Sequence, residues 1–216
     1  SQEHVPAIVH ITHCSQEQGN GLADVLFGKV NPAGRTVQTW VKDIIDLPDM
    51  MDYDIRNGRT YMYHQGPVLY PFGYGLSYTT FEYVNPSVKV DNGIYSVSID
   101  VKNVGKFAGK EVVQLYVSAP NRFQMNKPEK ELKAFTKTKE LRPGETVTAT
   151  LKLNTTDLAS YDEASSSWVV DAGNYKFLIG TSSKDIKAVL DVDVVSVVEK
   201  TNDILKPQET VNTIKR

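Results

Sequence analysis

Apolar and polar side chains alternate in one segment after another between residues 81 and 198, and this period of two restricts the possible folds more than any other feature. It is clearest in residues 95–102, where tyrosine, valine, isoleucine and valine alternate with serine, serine, aspartate and lysine. Such alternation turns one face of an extended strand towards a core and the other towards solvent. The pattern returns in residues 113–117, 147–153, 175–179 and 190–194.

Turn-forming residues separate these segments. Residues 91–93, 142–145 and 171–173 each contain a glycine, which tolerates the positive φ that a reversing backbone needs. Short strands with turns at this spacing are typical of an antiparallel β-sandwich. The sequence therefore predicts a mainly β fold, with residues 81–198 forming the sandwich.

The first 45 residues follow another pattern. The apolar run of residues 5–13 predicts a strand covered on both faces, as in a parallel sheet. Residues 21–28 predict a helix that Gly28 ends, and residues 35–40 predict a second strand. A single β-α-β unit cannot cover its own strands, so we interpret residues 1–45 as the incomplete C-terminal end of an α/β domain.

Two further segments lack a regular period. Residues 46–80 are rich in aspartate, glycine, proline and tyrosine, and we expect a connector that wraps over a surface. Residues 199–216 are polar and unpatterned, which predicts a flexible tail.

Composition argues against several classes of protein. Lys and Arg total 24 against 26 Asp and Glu, so there is no excess positive charge for a nucleic-acid partner. No run approaches the ~20 apolar residues that cross a bilayer, so no membrane partner is expected. The single cysteine, Cys14, permits neither an internal disulfide nor a cysteine-based zinc site, and we predict no metal and no cofactor.

Two histidines and Cys14 near the start are candidate reactive groups. His10 and His13 are three residues apart in a presumed strand and so lie on opposite faces, which favours structural roles over metal binding. Nothing nearby would orient an imidazole towards Cys14, so a packed thiol is favoured over a nucleophile.

Aspartates are frequent in the connector. A calcium loop is one interpretation, but the central glycine and terminal glutamate of an EF-hand are missing, so a solvated face is favoured. The run comprises Asp43, Asp46, Asp49, Asp52 and Asp54.

Two features could bind a ligand. Glu17 lies where the predicted strand leads into the helix, so both helix capping and a role in a cleft remain open. Aromatic residues crowd the junction before the sandwich, and we favour packing between domains over stacking on sugars. They are Tyr61, Tyr63, Tyr70, Phe72, Tyr74, Tyr78, Phe81 and Tyr83.

Several long segments resemble glycoside hydrolase family 3. Residues 15–35 resemble the end of that family's α/β sandwich domain, and residues 69–81 resemble the segment that leads into its fibronectin type III-like domain. Further resemblance lies in residues 109–117, 131–135 and 141–146. The resemblance extends to about residue 181 and implies an immunoglobulin- or fibronectin III-like sandwich preceded by a partial α/β segment.

The resemblance also implies a chemistry. Members are retaining glycosidases that cleave β-linked sugars at the non-reducing end with a carboxylate nucleophile and a carboxylic acid/base. In the family the nucleophile is an aspartate on a (β/α)8 barrel, and the acid/base is usually a glutamate earlier in the α/β domain. Neither motif occurs here, so we assign no catalytic residue. The substrate-cleft candidates are Gln16, Glu17, Arg59 and Tyr61.

The loop around Glu17 departs from the family's usual Pro-Gly-Gln-Glu-Gly-Gly. Gln16, Glu17 and Gly19 fit this motif, whereas Ser15 and Gln18 do not, so the shape of the loop is not carried over. Residues 52–63 look more like the β-xylosidase branch than the β-glucosidase branch.

We therefore predict the C-terminal portion of a β-xylosidase or β-glucosidase that braces the catalytic domains and is inactive alone. Its expected partner is the rest of the parent enzyme or a second copy of itself, with β-glycosides as a further possibility. The resemblance favours a secreted or periplasmic location. The alternative is an independent carbohydrate-binding or adhesion module with the same sandwich.

Overall fold

The computed structural model describes residues 4–12, 16–121 and 125–202. Two short α-helices, three single-turn 3₁₀-helices (Ile44–Asp46, Ile55–Asn57 and Thr155–Leu158) and twelve strands occur in this part of the chain. In chain order the α-helices and strands are α1 (Gln18–Leu26), β1 (Trp40–Val41), α2 (Thr60–Tyr63), β2 (Val68–Tyr70), β3 (Phe81–Asp91), β4 (Ile94–Asn103), β5 (Val112–Ser118), β6 (Glu131–Lys137), β7 (Thr146–Asn154), β8 (Ser160–Asp162), β9 (Ser167–Val170), β10 (Gly173–Gly180), β11 (Ile186–Val194) and β12 (Val197–Lys200).

Two antiparallel sheets form the sandwich. One has the order β3-β4-β7 and the other has the order β11-β10-β5-β6. Strands β8, β9 and β12 form a small third sheet, and β1 pairs with β2. The predicted mainly β, fibronectin III-like fold is confirmed.

The core lies between the two large sheets and follows the predicted alternation. Along β4 every second side chain is buried, and Val97, Ile99 and Val101 are fully buried. Phe177 of β10 meets them from the opposite sheet, and its ring contacts that of Tyr95 edge-on at 5.6 Å. Burying apolar side chains of this size contributes about 1.5–3 kcal/mol each.

Two of the three turns predicted around glycine, at residues 91–93 and 142–145, are confirmed, whereas residues 171–173 connect β9 and β10 of different sheets. Asn92 and Gly93 have φ values of 48° and 77° between β3 and β4, as a two-residue hairpin turn of the type I′ kind requires. Before β7, the amide of Glu145 donates to the carbonyl of Arg142 at 2.9 Å, and Gly144 has a φ of 83°.

The strand predicted near the start of the chain is not present among the described residues. Residues 5–12 form no strand, and Val5, Ile8 and Val9 are each about half exposed. A strand needs a neighbour to hydrogen-bond with, and the described chain places none beside this segment. Of the second strand predicted at residues 35–40 only β1, Trp40–Val41, is present, and it pairs antiparallel with β2 of the connector, so the described residues form no parallel β-α-β unit.

The predicted helix is confirmed as α1. It ends at Leu26, and Gly28 follows with a φ of 72° while its amide donates to the carbonyl of Val25 at 3.0 Å. This left-handed residue just after the last turn is a common helix ending.

The end of the described chain differs from the predicted flexible tail. Glu199 and Lys200 belong to β12, which pairs with β9. Most of the tail, along with His13 and Cys14, lies outside the described residues. No helix of the described chain is long and apolar enough to span a membrane.

Candidate functional site

Strand β5 is buried on both faces, which the alternating pattern did not predict. Gln114 and Tyr116 point away from the core, yet they are only 2% and 0% exposed. The connector covers them: Tyr61 packs edge-on against Tyr116, with 5.9 Å between the ring centroids. The junction between connector and sandwich is thus a second packed layer.

Tyr61 anchors α2 to this layer. Its ring stacks on Phe72 with centroids 4.3 Å apart, and its hydroxyl oxygen accepts a hydrogen bond from the Leu132 amide at 2.8 Å. Burial raises the pKa of Tyr61. These contacts are those of a packing residue, as favoured for the junction aromatics.

The Gln114 side chain of β5 joins the connector to the end of β10 by hydrogen bonds. Its Nε2 donates to the carbonyls of Gly73 at 3.0 Å and Thr181 at 2.5 Å, while its Oε1 accepts from the Tyr116 hydroxyl at 2.6 Å. Gly73 has a φ of 81° and packs so closely that a Cβ there would overlap Gln114. The residue must therefore be glycine for two independent reasons.

A buried ion pair joins the N-terminal segment to the sandwich. Nη2 of Arg35 lies 2.5 Å from Oε1 of Glu111, which also accepts the Val112 amide at 2.7 Å. The Tyr83 hydroxyl is buried beside this pair; burial and then the Glu111 charge raise its pKa well above the usual value. A charged pair in such a place fixes one geometry, because neither group can be left buried without the other.

Asn31 is a third residue, after Gln114 and Arg35, that attaches the chain before β3 to the sandwich. Its Nδ2 donates to the Ala108 carbonyl at 2.9 Å, and its Oδ1 accepts from the Ser77 hydroxyl and the Tyr78 amide. The Tyr78 hydroxyl in turn donates to the Val25 carbonyl of α1 at 2.8 Å. The Asn31 amide and the Tyr78 hydroxyl therefore link the helix, the connector and the loop before β5.

Gln16 and Glu17 lie in an open groove of about 400 Å³ beside α1. Apolar residues form most of its lining, among them Val9, Ile11 and Val25. Glu17 occupies the N-cap position, but its carboxylate accepts from the side chain of Asn20 at 2.6 Å and makes no capping bond. Side-chain capping, one of the two open interpretations, is therefore not what this carboxylate does.

Arg59 and Tyr61 lie together in a second groove of about 390 Å³, which shares no lining residue with the first. The Arg59 guanidinium donates to the carbonyls of Asp52 at 2.7 Å and Asp49 at 2.6 Å. It thus holds the connector loop in shape. The four candidate cleft residues are divided between two separate surfaces.

The connector aspartates bind their own backbone. Asp49 accepts from the Met51 amide at 2.8 Å, and Asp52 accepts from the Asp54 amide at 3.0 Å. Hydrogen bonds from Arg56 lower the pKa of Asp54. No group of His, Cys, Asp and Glu within residues 4–12, 16–121 and 125–202 is suited to hold a metal.

His10 contacts Trp40 edge-on, with 5.1 Å between the ring centroids. Three residues that carry the junction, Arg35, Glu111 and Gln114, were not singled out from the sequence. The available signal was a glutamine in the middle of an apolar strand, where a buried amide needs specific partners.

Family comparison agrees with this architecture. Residues 1–78 match the glycosyl hydrolase family 3 C-terminal domain, and residues 111–183 match the fibronectin type III-like domain. The chain belongs to glycoside hydrolase family 3 and corresponds to the C-terminal region of its members.

Particular relatives are similar across both parts. The chain is 41% identical to a β-glucosidase of Kluyveromyces marxianus over 89% of its own length and 24% of the relative's. It is 41% identical to a xylan 1,4-β-xylosidase of Xylanibacter ruminicola over 86% of its length and 21% of the relative's. β-Glucosidase 3B of Thermotoga neapolitana, solved with α-D-glucose, superposes with a TM-score of 0.79 at 38% identity, covering 86% of this chain and 28% of that one. The chain thus spans about a quarter of the length of these relatives.

Proposed function

We propose that this chain is the structural C-terminal portion of a retaining glycosidase that removes β-linked sugars from non-reducing ends. In this role it braces the catalytic domains, and the reacting carboxylates lie in other parts of the parent protein. The domains of that parent are its partner. The sugar is glucose or xylose, with residues 52–63 favouring xylose.

The main support for the proposal comes from the contacts at the junction between the connector and the sandwich. Buried polar contacts from Arg35, Asn31 and Gly73 hold the start of the chain and the connector against the sandwich. At the same time Val5, Ile8 and Val9 expose apolar surface. Residues 4–12 are exposed, whereas the region that follows them is attached to the sandwich, so their apolar side chains are available to a further layer.

The two grooves support the same proposal. Retaining hydrolysis uses two carboxyl groups about 5–5.5 Å apart across the scissile bond. Glu17 is the one carboxylate among the described residues that line the first groove, and the described lining of the second groove has none. Arg59 and Tyr61 are also engaged in holding the connector, so we propose a positioning role for them at most.

The brace can be tested in a relative of known structure. β-Glucosidase 3B of Thermotoga neapolitana would be prepared without the region that this chain matches, and with that region replaced by this chain. We expect the truncated enzyme to lose thermal midpoint and activity and the chimera to recover both. A truncated enzyme as stable and active as the chimera would overturn the bracing role.

A second function, carbohydrate binding by an independent module, is favoured by one exposed aromatic pair. Tyr161 of β8 and Trp168 of β9 are cross-strand neighbours with rings 5.3 Å apart, and they are 40% and 46% exposed. Aromatic rings with polar tips can stack on sugar faces.

Titration separates this second function from the first. Xylo- and cello-oligosaccharides would be added to the full chain while the heat of binding is measured by titration calorimetry. Saturable binding that Trp168→Ala abolishes would support a binding module. Phe135→Ala is the matched control, because Phe135 is an exposed aromatic on β6 of another sheet. Absence of binding would exclude the module.

A further inference from the structure

A small cavity lies between the connector and the sandwich, next to the second groove, with which it shares Thr39, Tyr61, Met62 and His64. Its volume is about 20 Å³. The connector contributes His64 to its lining, and the sandwich loops contribute Lys130, Ser183 and Lys184. Gln65, the carboxylate of Glu129 and Thr39, which is next to β1, also line it.

Two polar atoms at this cavity are buried without a hydrogen-bond partner. They are Oγ1 of Thr39 and Nε2 of His64. Buried polar atoms almost always have a partner in the protein or in a bound species. A hydroxyl can rotate its proton, and a neutral imidazole can carry its proton on Nε2, so both atoms can act as donors towards one acceptor.

The charges at the cavity are mostly positive. The Lys130 side chain is 14% exposed, and the nearest carboxylate oxygen, on Glu129, is 3.9 Å from its Nζ, which is beyond hydrogen-bond distance. Burial, and to a smaller extent Lys184, lowers the pKa of Lys130, while Glu129 opposes this. Two ammonium groups therefore stand against one carboxylate, and Glu129 is itself 60% exposed.

We propose that this cavity binds a single chloride ion. The mostly buried Lys130 side chain has only the distant Glu129 carboxylate as ion-pair partner, and an anion would supply a closer acceptor and a second negative charge. Water could accept the same hydrogen bonds but would leave the charge unbalanced. The size also selects a monoatomic ion: a water molecule needs roughly 10–15 Å³ by this measure, so about 20 Å³ leaves little room for sulfate or phosphate.

Bound chloride would add a contact between the connector and the sandwich beside the hydrogen bond that the Ser183 amide donates to the Phe72 carbonyl at 2.9 Å. It would contact Thr39 and His64 on one side and Lys130 and Lys184 on the other. The ion would therefore stabilise the folded chain by mass action, in proportion to its concentration relative to its dissociation constant.

Thermal unfolding of the full 216-residue chain tests the proposal. The midpoint would be measured as sodium chloride replaces sodium gluconate at constant ionic strength. We expect it to rise by about 2 °C or more. Lys184→Met, a change at an exposed lysine that should leave the fold intact, is expected to abolish most of that rise. Lys187→Met is the control, since Lys187 pairs with Asp185 and does not line the cavity.

Crystals grown in sodium bromide provide a second, independent test, because bound bromide is located by its anomalous scattering. We expect an anomalous peak in the cavity beside Lys130. A water molecule there, with no anomalous signal, would overturn the proposal. A bromide peak without any chloride-dependent midpoint would mark an adventitious ion only and would overturn it as well.

Discussion

Arg35 and Glu111 form an ion pair in which both side chains are less than one tenth exposed, although 76 positions separate them in sequence. Arg35 belongs to the segment before β1, and Glu111 immediately precedes β5. The pair therefore holds the N-terminal part of the chain at one position on the sandwich.

Glu111→Gln should lower the free energy of unfolding by about 3 kcal/mol, because it leaves the Arg35 guanidinium buried without its counter-charge. Urea unfolding measures this. The matched control is Asp191→Asn, which breaks an exposed pair with Lys176 and should cost less than about 1 kcal/mol. Equal losses in the two variants would mean that the buried pair does not hold the junction.

Gly73→Ala should destabilise the chain more than Gly144→Ala. Both glycines have similar φ values, 81° and 83°, so the backbone cost of about 1–2 kcal/mol is common to both. Only at Gly73 does an added Cβ meet Gln114, whereas Gly144 has no atom within 4 Å. We expect a further loss of about 2 kcal/mol at Gly73 from overpacking. Equal urea midpoints for Gly73→Ala and Gly144→Ala would contradict the close contact between Gly73 and Gln114.

Tyr61→Phe should cost about 1 kcal/mol, since it removes the hydrogen bond to the Leu132 amide and keeps the ring. Tyr61→Ala should cost about 3–5 kcal/mol because the stack with Phe72 is also lost. Tyr53 is 81% exposed, so its change to Ala serves as control, with an effect within about 0.5 kcal/mol. Limited proteolysis should cut the connector faster in Tyr61→Ala alone.

Stability should fall at high pH partly through Tyr175. Burial raises the pKa of Tyr175 to about 12 from 10.0, so the folded protein keeps this proton over a range in which the unfolded chain loses it. The stabilisation is complete below pH 10 and is lost as the pH rises towards 12. Urea unfolding of wild type and Tyr175→Phe from pH 9 to 12 isolates the effect. The stability difference between them should shift against the wild type above pH 10, and a constant difference would contradict it.

The sandwich could be predicted from the sequence because period-two burial and turn chemistry are local. Strand β4 and the turn at Asn92 and Gly93 follow from residues within a few positions of each other. The second buried face of β5 could not be predicted in this way. It depends on Tyr61 and Gly73, which reach Tyr116 and Gln114 from distant parts of the chain.

The candidate cleft residues show another limit of prediction from sequence. Residue type and motif position selected Gln16, Glu17, Arg59 and Tyr61, but they do not reveal which partner each side chain takes. Arg59 binds two backbone carbonyls of its own loop, and Glu17 binds Asn20. The strand predicted at residues 5–13 failed for another reason: an apolar run becomes a strand only beside a neighbouring strand.

Hydrolysis of nitrophenyl β-D-glucoside and nitrophenyl β-D-xyloside by the purified 216-residue chain tests the central claim most directly. We predict a rate no higher than that of the uncatalysed reaction, because the reacting carboxylates belong to other parts of the parent enzyme. Turnover of about 1 s⁻¹ or more, within the usual range for enzymes, that disappears in Glu17→Gln would contradict it.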